Sequence, residues 1–211
     1  MTGGYICAVL VNNSGWPFFA ALPLAFVSAA AIGVALERTL YRHLYTRSHL
    51  DQVLFTIGLT FMSVAAVDYI MGSSRIFIKL PAALEGQFDF FGVGIGRYRL
   101  MIIVICGLLT LALQLILAKT RFGSRLRAAV DDPRAASGLG INVPQVFAFT
   151  FAFGCGLAGL GGALSAEILG LDPYFPLKFM IYFLIVVTVG GSSSISGPFL
   201  ASLLLGIGDV A

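Results

Sequence analysis

Tyr98–Ala118 reads YRLMIIVICGLLTLALQLILA, a run of 21 residues whose single charge is Arg99. It matches the roughly 20 apolar residues a helix needs to cross a hydrocarbon core about 30 Å thick. Three more runs have the same character: Trp16–Leu36, with Trp16 placed to sit at one interface, Val53–Met71 and Pro144–Ile168. Inside a bilayer the backbone must satisfy its own hydrogen bonds, which leaves helices or closed barrels, and spans of this length select helices. Composition agrees. The chain is 58% hydrophobic and 11% charged, with mean hydropathy +0.95, where a soluble domain carries about a quarter charged residues. The expected fold is all-α, a polytopic transmembrane helical bundle of about five to six membrane segments. It forms a single transmembrane domain over 1–211, with a short helix outside the membrane. The net charge of +3 is spread over loops and excludes a nucleic-acid partner.

The remaining segments are polar loops and shorter apolar pieces. Residues 5–12 are apolar but too short to span, and they lack the basic region of a cleavable signal peptide. Glu37–Gln52, Gly72–Arg97 and Gly170–Leu177 read as loops. Arg38, Arg42, Arg47, Lys119, Arg121, Arg125, Arg127 and Arg134 lie on one side of the membrane. Arg75, Lys79, Arg97, Arg99 and Lys178 lie on the other. The positive-inside rule places the first side in the cytoplasm.

The cytoplasmic stretch 119–145, KTRFGSRLRAAVDDPRAASGLGINVPQ, is a charged island between two apolar runs. It carries the punctuation of a short helix over 132–138. Asp132 is an N-cap, Pro133 suits the first helical position, and Gly138 or Gly140 can end the helix. A tether needs no capped helix outside the bilayer, so this one implies a surface for a soluble partner.

Catalytic chemistry is not evident. Residues 154–159 match G-x-G-x-x-G, but no strand precedes them and they lie within an apolar run, so a dinucleotide site is excluded. The small residues Gly154, Cys155, Ala158, Gly159, Gly162 and Ala163 instead allow another helix to approach closely. Cys7, Cys106 and Cys155 read as small buried hydrophobes. His43 and His49 belong to a solvated loop with no further metal ligands nearby. No cofactor or metal is called for. The chain has no G-x-x-x-x-G-K-[ST], so it is not expected to bind ATP itself. Asp68 and Glu167 lie near the outer ends of their spans, where they either face water or serve a path.

The last third is less regular. Lys178–Val189 would be about 18 Å long as a helix, short of the membrane. It stops at GGSSSISGP (190–198), and Phe199–Val210 follows. Either the span takes in the loop residues before it, or the helix breaks at Gly190-Gly191. Such a break is tolerated where protein or a water-filled cavity satisfies the backbone. Ser192, Ser193, Ser194 and Ser196 then line a polar path or cap the next helix, and a tight turn at the membrane surface fits the same residues.

Five stretches carry a resemblance: ALERTLYRHL (35–44), TIGLTF (56–61), RFGSRLRAAVDDPRAASGLGINV (121–143), GCGLAGLGGAL (154–164) and VTVGGSSSISGPFLASLLLG (187–206). In this order they resemble the LivH-type permeases of branched-chain amino-acid ABC importers. The resemblance implies a bacterial inner-membrane subunit that pairs with a second homologous permease. It implies a periplasmic amino-acid-binding protein as donor and cytoplasmic P-loop ATPases as motor. Asp131, Asp132, Pro133, Ala135, Ala136, Gly138 and Gly140 then form the ATPase-coupling surface. Gly190, Gly191, Ser192, Ser194 and Gly197 border the translocation path, and Gly154, Gly159 and Gly162 pack helices. It also implies a helix before Met1 and continuation past Ala211, so the chain is expected to be incomplete at both ends. His43 stands where the family often has proline, and Ser193 where it commonly has a third glycine. The implied substrate is a leucine-like amino acid, with urea or short amides carried by relatives. The alternative from a different class is a non-transporting membrane anchor or assembly subunit.

Overall fold

The apolar runs fold as helices, and local signals set where each one starts and stops. The computed structural model describes residues 2–41, 44, 47–72, 74–78, 87–90, 93–191 and 196–210. Arg42, His43, Lys79, Glu85 and Ser192, Ser193 and Ser194 lie outside them. The chain runs α1 (Thr2–Ser14), α2 (Phe18–Leu36), α3 (His49–Met71), β1 (Gln87–Phe90), β2 (Val93–Gly96), α4 (Arg97–Lys119), α5 (Arg121–Asp131), α6 (Pro133–Gly138), α7 (Val143–Leu169), α8 (Phe175–Gly190) and α9 (Ser196–Val210). Among the described residues, four helices are long and apolar enough to cross a membrane: Phe18–Tyr41, Leu50–Met71, Arg97–Lys119 and Val143–Leu169. Phe175–Gly190 and Ser196–Gly208 are shorter apolar helices.

α4 and α7 overrun the expected spans by one residue at each end. α2 starts at Phe18 because Pro17, with ψ 134°, is still extended. The expected loop at Glu37 begins later than the charges suggest. The helix continues as one π-turn over Glu37–Tyr41 and buries Glu37 to 3% exposure. Tyr41 ends this turn against Phe151 (ring centroids 4.8 Å apart) and Phe55 (6.3 Å). α3 opens four residues before the expected Val53 because Ser48 caps it. Its Oγ accepts from the Asp51 N–H at 3.2 Å and donates to the Asp51 carboxylate at 2.9 Å. The long loop before α4 contains the antiparallel hairpin β1–β2, with Gln87 opposite Gly96 and Phe90 opposite Val93.

Contacts divide the expected permease domain into two compact units that interleave along the chain. One comprises Met1–Ala83 and Pro144–Phe175; the other comprises Leu84–Val143 and Pro176–Ala211.

The first unit holds α1, α2, α3 and α7. Its core is rich in small residues: Cys7, Ala8, Ala21, Ala25, Ala29, Ala152, Ala163 and Ala166 are buried, beside larger side chains such as Tyr5, Phe18, Leu164 and Leu171. Without a water-driven hydrophobic term inside lipid, helices associate by close van der Waals approach, which small residues allow. At one end a clasp joins distant segments. Ile76 and Leu171 exchange backbone hydrogen bonds of 2.9 Å in each direction, and the Asn12 amide donates to the Phe77 carbonyl at 2.9 Å. Arg75 pairs with the nearly buried Asp172 at 3.7 Å.

The second unit holds β1, β2, α4, α5, α6, α8 and α9. α4 presents Ile103, Val104, Leu108 and Leu111 outward, each more than half exposed. A continuous apolar face of this kind suits lipid and not water.

Candidate functional site

The charged island folds into two helices, where the sequence signals one. Thr120 both ends α4 and starts α5. Its backbone N–H and its hydroxyl both donate to the Ile116 carbonyl, at 3.2 and 2.5 Å, and the hydroxyl accepts from the Gly123 N–H at 3.3 Å. α5 then packs back on the end of α4. Gly123 is buried so close to Leu117 that an added Cβ would collide with the Leu117 carbonyl oxygen and stand 2.7 Å from its carbon. The Arg127 guanidinium donates to the same Leu117 oxygen at 2.9 Å. That oxygen is among the last carbonyls of α4, which have no partner within the helix and attract cations.

α6 follows after one extended residue. Asp132 (φ −146°, ψ 96°) accepts from the Arg134 and Ala135 N–H groups at 2.9 and 3.0 Å, with Pro133 at the first helical position. Of the two glycines able to end it, Gly140 does so. It has φ +81°, its N–H donates to Ser137 at 3.0 Å, and the Ile141 N–H donates to Ala136 at 3.1 Å. That pair of bonds around a left-handed residue is the Schellman arrangement. Gly138 remains inside α6.

The expected coupling residues divide by exposure. Asp131, Asp132, Pro133, Ala135, Gly138 and Gly140 are exposed. Ala136, expected on the same surface, is instead buried at 2% exposure, because it packs α6 against its own unit. The sequence reading missed Leu139 and Val130. These are 81% and 62% exposed, unusual for large aliphatics on a segment outside the spans.

The expected path residues fall at the junction of α8 and α9. α8 takes in Phe175–Leu177 and Gly190, reaching 16 residues or about 24 Å, still shorter than a hydrocarbon core. Its end is marked by Gly191, with φ +75° and an N–H donating to Val187 at 2.9 Å. Gly190 lies against the start of α9, where a Cβ would stand 2.5 Å from Pro198 Cα and 2.6 Å from the Gly197 carbonyl carbon. α9 begins at Ser196, so Pro198 lies within its first turn instead of opening it. Ser192 and Ser194 lie outside the described residues.

Of the three expected packing glycines, Gly159 and Gly162 lie against α1. A Cβ on Gly3 would stand 2.6 Å from Gly159 Cα, and one on Gly4 would stand 2.9 Å from the Gly162 oxygen. α1 therefore meets α7 backbone to backbone. Gly159 also abuts Ala25 and Ala29 of α2. Gly154 is the exception, exposed with nothing within 4 Å of an added Cβ, because it projects from the opposite face of α7. Gly156 is close-packed instead, since an added Cβ there would stand 2.7 Å from the Phe26 ring, and Gly33 of α2 faces Cys155. Asp68 and Glu167 are both half-buried, in the last turns of α3 and α7.

Comparison with known proteins gives one consistent result. The family described as "Branched-chain amino acid transport system / permease component" matches residues 1–210. The chain is similar to the high-affinity branched-chain amino acid transport system permease protein LivH of Escherichia coli K12, with 29% identity over 223 residues, covering 99% of this chain and 72% of the relative. BraD of Pseudomonas aeruginosa PAO1, of the same description, is 28% identical with the same coverage. A shorter match, 35% over 96 residues, reaches the nucleoside ABC transporter permease protein NupC of Lactococcus lactis, covering 44% of this chain and 29% of that protein. No solved structure gives a significant match.

Proposed function

This chain belongs to the permease components of branched-chain amino-acid transport systems, and we infer from that membership that it is the membrane-spanning permease subunit of an ABC importer for branched-chain amino acids. Its place is the bacterial inner membrane. It works with a second permease, with cytoplasmic P-loop ATPases that carry out the hydrolysis, and with a periplasmic amino-acid-binding protein. The observation that carries the reading is α6, a helix capped at both ends outside the four long spans, in a sequence without the P-loop motif G-x-x-x-x-G-K-[ST].

The mechanism follows from the arrangement. ATPase closure acts on α6 through Asp132, Pro133, Ala135 and the exposed Leu139. Leu139 is suited to anchor in an apolar pocket of the partner, as buried aliphatic or aromatic anchors do at interfaces. Movement of α6 shifts the spans between two states, opening the path to one side and then the other. The path runs past the α8–α9 junction. There the mostly apolar surroundings suit an aliphatic side chain, while backbone N–H groups at the start of α9 suit a carboxylate.

The test is reconstitution of the complete importer with its binding protein, measuring leucine uptake and leucine-stimulated ATP hydrolysis. The reading expects the ATPase to co-purify with the permease. It also expects Ala135→Trp to uncouple hydrolysis from uptake while membrane insertion persists. Ser194→Cys should react with a small water-soluble thiol reagent more slowly when substrate is present. Normal uptake in Ala135→Trp removes α6 as the docking surface. Labelling of Ser194→Cys from the cytoplasm alone, indifferent to substrate, removes the junction from the path.

A further inference from the structure

We propose that the joint between α4 and α5, made by Thr120, Gly123 and Arg127 on the Leu117 carbonyl, is the positioning element that carries movement of α6 into the third long span. This rests on the reading of 119–145 as the segment that meets the ATPase. A docking helix on a flexible loop would spend its displacement in the loop. Here there is almost no loop to spend it in. One residue, Thr120, separates α4 from α5, and one residue, Asp132, separates α5 from α6. Hydrogen bonds run both ways from each. Thr120 bonds backward to Ile116 and forward to Gly123. The Asp132 backbone N–H donates to the Ala128 carbonyl at 3.2 Å, and its side chain bonds forward to Arg134 and Ala135.

Three further contacts make the first joint stiff. Gly123 allows α5 to touch the α4 backbone directly, with no compressible side chain between them. Arg127, one turn further along α5, reaches back to the same Leu117 oxygen at 2.9 Å. Two points of α5 are thus fixed to one point of α4, which prevents α5 from pivoting about Thr120. Ala129, fully buried, holds the far half of α5 in the unit. Displacement of α6 therefore has to turn the cytoplasmic end of α4.

Gly123→Ala, Arg127→Ala and Arg127→Lys test this in the complete reconstituted importer, with Ala135→Trp alongside. The readouts are assembly, ATP hydrolysis and leucine moved per ATP. Gly123→Ala and Arg127→Ala should assemble and hydrolyse ATP, while leucine moved per ATP falls about tenfold, within the roughly 5–150-fold that coupling between sites spans. Arg127→Lys should recover much of it, because an ammonium can also donate to the Leu117 carbonyl. Arg127 is exposed, so its substitution remains informative if Gly123→Ala fails to assemble. Unchanged coupling in Arg127→Ala overturns the proposal whatever Ala135→Trp does. Loss in Ala135→Trp beside full coupling in both joint variants overturns the joint and leaves the docking reading standing.

Discussion

Gly33→Ala places one methyl group where α2 and α7 meet. An ideal Cβ at Gly33 would stand 2.7 Å from Cys155 Cβ, 2.9 Å from Cys155 Sγ and 3.3 Å from Ala152 Cα. Optimal carbon contacts lie at about 3.5–4.0 Å, so the helices must part by about 1 Å. A gap of that size forfeits a quarter to a half of each contact along the seam, and overpacking of this kind costs about 1–3 kcal/mol. Replacing glycine by alanine within a helix also gains up to about 1 kcal/mol of propensity, which hides part of the loss. Gly58→Ala in α3 isolates that gain, because nothing lies within 4 Å of a Cβ there. The two variants should differ by about 1–3 kcal/mol. At roughly 2–4 °C per kcal/mol, thermal unfolding of the purified protein in detergent resolves the difference. Cys155→Gly removes both colliding atoms, so the double variant should recover stability, with a coupling energy of about 0.5–3 kcal/mol. A Gly33→Ala protein as stable as Gly58→Ala, or a double variant with no coupling, would refute the packing argument.

Other expectations follow from the same contacts. Gly159→Leu should lower stability far more than Gly154→Leu, read as the fraction surviving heating in detergent, because only Gly159 abuts α1 and α2. Gly190→Ala should impair leucine uptake, since the colliding atoms are backbone of Gly197 and Pro198 and cannot swing aside. Gly107→Ala, in open space on α4, should leave uptake unchanged. Asp132→Ala should cost α6 about 1 kcal/mol through its lost cap, and Gly140→Ala about 1–2 kcal/mol through its left-handed backbone. Both should appear as faster amide exchange over 134–138.

The long spans were legible because length and apolarity are local properties, and α4 and α7 match their expected spans to within one residue at each end. The cap at Asp132 was legible for the same reason. α5 was not, although the signal was present. Phe122, Leu126, Ala129 and Val130 recur at helical spacing, but two arginines and a glycine among them make the stretch read only as part of a charged island. The role of α1 was hidden because it packs through Gly3 and Gly4, and a contact made by the absence of a side chain leaves no hydrophobic pattern. Glycines at 154, 156, 159, 161 and 162 surround α7, so composition shows a packing helix while only the helix phase shows which glycines face inward. The clasp of Ile76 with Leu171 lies beyond local reading altogether, because nothing near either residue announces the other.

The interleaving of the two units sets an order of events during synthesis. α1, α2 and α3 leave the ribosome before α7, and the unit they belong to lacks α7 until Leu84–Val143, 60 residues of the other unit, has been made. At about 5–20 residues per second that is a wait of roughly 3–12 s. Through it, α1 and α2, already in contact with each other, display Gly3, Gly4 and Gly33 as an open notch that lipid tails fill poorly. The arrival of α7 fills that notch, setting Gly159 against Gly3, Gly162 against Gly4 and Cys155 against Gly33.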